Sequence, residues 1–175
     1  MFRDFDPRRL VVTVGLSGSG KSFVARRLAE AAGYEVVRSD EVRKRLFGLD
    51  PLTPARAAYG GGIYSPEVTR RVYEKLLGEA KRILSRGGKV VLDATFLKRW
   101  QRELVLRHFP SATFVWVREP EEVVLKRLRE RKNDPSDADE AVYFKQKEEF
   151  EPPTELKLTF VIRSSEWPEL LKFLG

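Results

Sequence analysis

Cysteine is absent from the 175 residues. Disulfides, thiolate zinc sites and thiol nucleophiles are therefore excluded, and a reducing cytoplasm is the expected compartment. Histidine occurs once, at His108, and asparagine once, at Asn133. His108 falls late in a predicted helix, where capping or a surface position explains it better than catalysis. No apolar run approaches the ~20 residues that a membrane-spanning helix requires. The stretch Met1-Phe2-Arg3-Asp4-Phe5-Asp6 is charged and holds no apolar h-region, so no signal peptide is expected. No internal repeat or low-complexity segment is visible.

What is present is a hydrophobic fraction of 42%, which separates the chain from disordered sequences. Its length fits one domain over residues 1–175 with a sizeable core. Lys and Arg number 33 against 26 Asp and Glu, a formal charge of +7 that favours anionic partners. Nucleotides, nucleic acids and phosphorylated metabolites all qualify. A solvated surface rich in both signs, as in heat-stable proteins, is the alternative.

Residues Gly15 to Ser22 read GLSGSGKS and match the phosphate-loop pattern GxxxxGK[ST] at every position. The loop follows the apolar run Leu10 to Val14 and opens into a helical stretch from Lys21 to Ala32. Gly15, Gly18 and Gly20 let the backbone turn tightly, so that N–H groups along Ser17, Ser19 and on to Phe23 can face phosphate oxygens. The following helix adds its positive end. Lys21 can reach the β- and γ-phosphates and the Ser22 hydroxyl can ligate Mg²⁺. The expected ligands are ATP and Mg²⁺. The alternative is a glycine-rich turn that binds nothing.

Strands are expected at Leu10–Val14, Glu35–Arg38, Lys89–Asp93, Ala112–Val117 and Leu158–Ile162. Helices alternate with them: Lys21–Ala32, Asp40 to about Phe47, Ser65 to Gly87, Lys98–His108, Pro120 to about Lys132, Asp137–Phe150 and Glu166–Leu174. Gly48 to Tyr64 is irregular. Ala112–Val117 is nearly all apolar, the mark of a central parallel strand. This alternation predicts an α/β class with helices on both faces of a parallel sheet and the crevice at the carboxyl ends of the strands. The phosphate loop, Asp40 and Asp93 all fall at such ends.

A guanine-reading Asn-Lys-x-Asp motif is missing, since Asn133 is followed by Asp134. Asp93 is followed by Ala94, not by the glutamate with which motor ATPases activate water. Asp93 can still hold Mg²⁺ through water. A kinase needs only an acceptor hydroxyl in line with the γ-phosphate. Asp40 and Arg43, three apart, share a helix face. Asp40 can orient and deprotonate the hydroxyl, and Arg43 can clamp an acceptor phosphate in two-pronged fashion. Helix capping by Ser39 or Asp40 is compatible with that role.

The phosphate loop, the strand-end Ser39-Asp40-x-x-Arg43, the run Val90 to Leu97 and the arginine-rich helix before Ser136-Asp137-Ala138-Asp139 together resemble the ATP-binding domain of polynucleotide-kinase-like phosphotransferases. The resemblance spans roughly Leu10 to Phe150. It implies a three-layer P-loop NTPase fold with a parallel sheet of about five strands and a helical arginine lid near residues 126–139. It implies transfer of the γ-phosphate of ATP to an alcohol, with the 5′-hydroxyl end of DNA or RNA as the favoured acceptor. A small-molecule kinase and a non-catalytic ATP-binding module are the other readings. It also implies that Asp40 acts as general base and Arg43 contacts the acceptor phosphate, with Thr95 or Phe96 at an acceptor-contacting position. Among Lys126, Arg127, Arg129, Arg131 and Lys132, the pair Arg127 and Arg131 is expected to close on the triphosphate. Lys98, Arg99 and Arg102 either follow a nucleic-acid backbone or form a solvent face. Tyr59, Tyr64 and Phe96 either stack an acceptor base or serve as packing.

Overall fold

Strand β1 (Leu10–Val14) occupies the middle of a five-stranded sheet and carries the phosphate loop at its carboxyl end. Around it lie β2 (Glu35–Arg38), β3 (Val90–Asp93), β4 (Thr113–Val117) and β5 (Thr159–Ile162), in the order β2-β3-β1-β4-β5 and all parallel. The computed structural model describes residues 5–48, 64–131, 140–156 and 159–175.

Alternation along the strands decides what each face buries. Leu10, Val12 and Val14 of β1 join Val90, Leu92 and Phe114 on one face. Helices α2 (Ser39–Leu46), α3 (Pro66–Ser85) and α4 (Arg99–His108) cover that face through Val42, Val72, Leu76, Ala80, Ile83 and Val105. Val11, Val91 and Val115 point the other way, against α1 (Lys21–Ala32) and α7 (Trp167–Leu174) through Val24, Leu28, Leu170 and Leu174. Two further helices, α5 (Glu121–Glu130) and α6 (Glu140–Glu149), form a small cluster of Val124, Leu128 and Tyr143 over Leu16 of the phosphate loop. The chain is thus a parallel sheet with helices on both sides, the P-loop NTPase kinase fold.

The α3 boundaries follow local rules. Ser65 caps the helix by accepting the Val68 N–H at 3.3 Å, and Pro66 sits in the first turn. The period-four stripe from Val72 to Leu84 faces the sheet. As expected of an apolar strand, β4 lies inside the sheet, paired in parallel with β1 on one side and with the edge strand β5 on the other. Trp116 is only half-buried, its ring 5.5 Å from Phe150 with the Arg118 guanidinium 4.2 Å over it. A 3-10 turn at Ser164–Glu166, unforeseen in the sequence, precedes α7. Tyr59, Lys132, Asn133 and the lid segment Asp134 to Asp139 lie outside the described residues.

Candidate active site

The loop from Gly15 to Ser22 leaves β1 and wraps the start of α1. Its first N–H, on Gly15, donates to the Thr95 carbonyl at 3.0 Å, which fastens the loop to the end of β3. Thr13 reinforces that seam: its hydroxyl donates to Leu92 and Ala94 carbonyls and accepts the Ala94 N–H at 3.1 Å. At Gly20, φ is +99°, and a Cβ there would lie 2.5 Å from the Ser164 Cβ. Only glycine satisfies both the left-handed backbone and that approach.

Lys21 is buried and bends back over the loop, its Nζ donating to the Leu16 carbonyl at 2.9 Å. Burial pushes its ammonium down to about 8; the Asp93 carboxylate opposes this, and the Arg131 guanidinium adds to it. Ser22 Oγ donates to Asp93 Oδ2 at 2.8 Å. Asp93 is 5% exposed. Burial pushes its carboxyl above the usual range, against the pull of Lys21, the Ser22 hydroxyl and Arg38. A hydroxyl beside a buried carboxylate suits a hard cation that takes further oxygens from phosphates. Ser22 and Asp93 are the residues that would hold Mg²⁺ here.

On the acceptor side, Asp40 lies in the first turn of α2. Its Oδ1 accepts the Glu41 N–H at 2.8 Å and its Oδ2 accepts Arg38 Nη2 at 3.1 Å. Arg38 also lies 3.5 Å from Asp93 Oδ2, so the end of β3 beside the loop and the start of α2 stand side by side. Arg43 is 8% exposed. Its Nη1 donates to Thr69 Oγ1 at 2.9 Å, and its guanidinium stands 4.7 Å from the Tyr64 ring. The Thr95 hydroxyl is 3.5 Å from the Tyr73 hydroxyl. Phe96, at φ +45°, is the one non-glycine residue with positive φ among the described residues. Its ring is fully buried, 4.9 Å from Tyr73 at a steep angle, which makes it core and not a stacking platform.

Of the arginine-rich helix, Arg127 reaches the loop, donating from Nη1 to the Gly18 carbonyl at 3.2 Å and from Nη2 to Ser164 Oγ at 3.1 Å. Arg131 follows the end of α5, and its charge is felt at Lys21. Lys126 and Arg129 face solvent, Arg129 pairing with Glu140 at 2.6 Å. Phe23 turns half-buried under Arg27, 5.1 Å away.

Arg102 departs from both expectations for it. It is fully buried, donating to the Phe96 carbonyl at 2.8 Å, the Glu151 carbonyl at 2.8 Å and Glu155 Oε1 at 2.6 Å. It is a strut, neither a solvent face nor a nucleic-acid contact. Gln146, Glu119, Ser164 and Arg38 also enter the site without having been foreseen. Gln146 Oε1 accepts the Ser17 N–H at 2.8 Å. Glu119, buried after β4, accepts Ser164 N–H at 3.0 Å and Ser164 Oγ–H at 2.9 Å. Only Arg38 carried a local signal, as the strand-end residue before Ser39-Asp40.

A family model described as an AAA domain matches residues 10–153. The chain belongs to that P-loop kinase family. An uncharacterized protein of Mycobacterium tuberculosis is 36% identical over 88 residues, covering 50% of this chain and 18% of that protein. A shikimate kinase of Paramagnetospirillum magneticum is 33% identical over 127 residues, covering 73% of this chain and 60% of that enzyme. The chain thus spans less than two thirds of these relatives' own length. Among solved structures, a Janibacter sugar kinase superposes with a TM-score of 0.69 at 21% identity, covering 94% of this chain and 91% of that one. A Pnkp1/Rnl/Hen1 complex aligns with a TM-score of 0.52 at 25% identity over 67% of this chain and 38% of that one. The neighbour with the higher TM-score shares the fold of this chain. No helix among the described residues is long and apolar enough to cross a membrane.

Proposed function

We propose that the chain transfers the γ-phosphate of ATP to an alcohol whose hydroxyl is oriented and deprotonated by Asp40. The observation that carries this is the crevice in which Lys21, Ser22, Asp93 and Asp40 meet. Ser22 bonds Asp93 at 2.8 Å, and Arg38 spans from Asp93 at 3.5 Å to Asp40 at 3.1 Å. Lys21 and the loop amides between Ser17 and Phe23 hold the triphosphate, whereas the Gly15 N–H, expected to join them, is committed to the Thr95 carbonyl. Ser22, with Asp93 behind it, would hold Mg²⁺, which would supply positive charge to the triphosphate. Arg127 and Arg131 add positive charge at the transferring group.

The favoured acceptor is the 5′-hydroxyl end of DNA or RNA, with Arg43 clamping the neighbouring phosphate. The acceptor wall supports this reading. Arg43 lies over the exposed Tyr64 ring at 4.7 Å, a cation beside an aromatic that suits a nucleotide. A second reading, a small alcohol, is favoured by the recess of Arg43 and by the identity to a shikimate kinase.

The test is γ-labelled ATP with Mg²⁺ against 5′-hydroxyl DNA and RNA oligonucleotides and a panel of sugars and cyclic polyols, with Asp40→Asn beside the wild type. Label on an oligonucleotide 5′ end that vanishes in Asp40→Asn supports the first reading. Label only on a small alcohol moves the assignment to the second. Tight ATP binding without transfer to any acceptor overturns both.

A further inference from the structure

Arg38 closes β2 and Asp93 closes β3, and the parallel register sets them opposite one another. The Arg38 guanidinium lies with Nε 3.5 Å from Asp93 Oδ2, Nη2 3.1 Å from Asp40 Oδ2 and Nη1 3.9 Å from Glu41 Oε1. One planar cation therefore spans a buried carboxylate at the phosphate loop and a part-exposed one on the acceptor side. Arginine suits this task because its fork offers several donors in a fixed plane; a lysine ammonium is a point charge. Asp40 is held at both oxygens, by Arg38 at Oδ2 and by the Glu41 N–H at Oδ1. Asp40 and Asp93 carry like charge, and the Arg38 guanidinium stands between them.

We propose that Arg38 is a positioning residue for phosphoryl transfer: it registers Asp40 against the loop through Asp93. This inference rests on the reading of Asp40 as the group that orients the acceptor hydroxyl. In-line transfer depends on placement more than on basicity, so a loosened Asp40 affects turnover before it affects ATP binding.

The experiment compares wild type, Arg38→Ala, Arg38→Lys, Asp40→Asn and the Arg38→Ala/Asp40→Asn double variant on whichever acceptor is labelled. Arg38→Ala is expected to lower kcat by about tenfold or more while KM for ATP stays within about twofold. Arg38→Lys recovers part of the loss. In the Asp40→Asn background the Arg38 substitution adds nothing, because the two act as a unit. Carbon-13 carboxyl resonances give a readout that needs no acceptor. Asp40 is faced by Arg38 and Glu41 on its own segment, by Lys21 on α1 and by Asp93 on β3. Removing the guanidinium that lies 3.1 Å from Oδ2 shifts the Asp40 carboxyl resonance. Full activity in Asp40→Asn sinks the reading beneath the inference. An inactive Asp40→Asn beside an undiminished Arg38→Ala, or an unmoved Asp40 carboxyl resonance, overturns the inference alone.

Discussion

Gln146 of α6 occupies the backbone N–H of Ser17 in the phosphate loop, Oε1 to N at 2.8 Å. A side-chain carbonyl thus sits where a phosphate oxygen is expected to bind. An N–H bond to a charged oxygen is roughly twice as strong as one to a neutral carbonyl, so phosphate can displace the amide, but the displaced bond reduces the net gain. Gln146→Ala is expected to tighten ATP binding by about fivefold, on the order of 1 kcal/mol, with less effect on ADP. Titration calorimetry of both nucleotides checks this. Equal affinities for wild type and variant mean that Ser17 does not contact phosphate.

Arg102 carries a structural load. Its buried guanidinium ties the left-handed Phe96 to Glu151 and Glu155, on the segment that leaves α6. The Glu151 N–H returns a bond to the Leu97 carbonyl at 2.9 Å. Removing one partner of a buried ion pair leaves the other uncompensated, at a cost of about 3–5 kcal/mol. Arg102→Met keeps the apolar stem and loses the charge. Urea unfolding should show a loss in that range, and a loss below about 1 kcal/mol would mean that water replaces the guanidinium.

These two contacts also mark what was legible beforehand. The strand and helix pattern from Leu10 to His108 is written in local periodicity and capping residues, so elements such as Ser65–Ser85 could be read directly. The loop, Lys21, Ser22 and Asp93 follow from a motif whose spacing is set by phosphate geometry. Arg102 looks like any basic residue on an exposed helix, because what buries it is a segment about fifty positions away. Gln146 meets Ser17 across a sequence separation of 129 residues, and no local signal foretells such a pairing. Phe96 read as a possible platform because its positive φ, which turns the ring into the core, leaves no trace in residue type.

Glu119 links the end of β4 to the 3-10 turn beside Gly20. Burial alone would push its carboxyl up. The Ser164 N–H and hydroxyl, with Arg163 and Arg127, outweigh burial and hold it below its ordinary 4.5. A carboxyl depressed in the folded state contributes stability that is present above the unfolded value and is lost as pH falls through the folded one. The nucleotide-free protein should therefore lose stability below about pH 4.5 partly through this residue. In Glu119→Gln that part of the slope disappears. Denaturant midpoints measured across about pH 5 to pH 3 decide it: parallel profiles for the two proteins would remove Glu119 as a contributor.

Gly20 and Gly33 both adopt positive φ, +99° and +75°, but their surroundings differ. A Cβ on Gly33 meets nothing within 4 Å, so Gly33→Ala carries backbone strain alone, about 1–2 kcal/mol of stability. A Cβ on Gly20 lies 2.5 Å from Ser164 Cβ and 3.3 Å from Arg127 Nη1. The same strain is then joined by a clash that forces the Ser164 turn and Arg127 away from the loop. Gly20→Ala should weaken ATP binding at least tenfold, about 1.4 kcal/mol, whereas Gly33→Ala leaves affinity unchanged at a similar stability loss. If both variants lose ATP equally, the effect comes from destabilised α1 and not from the contact between Gly20 and Ser164.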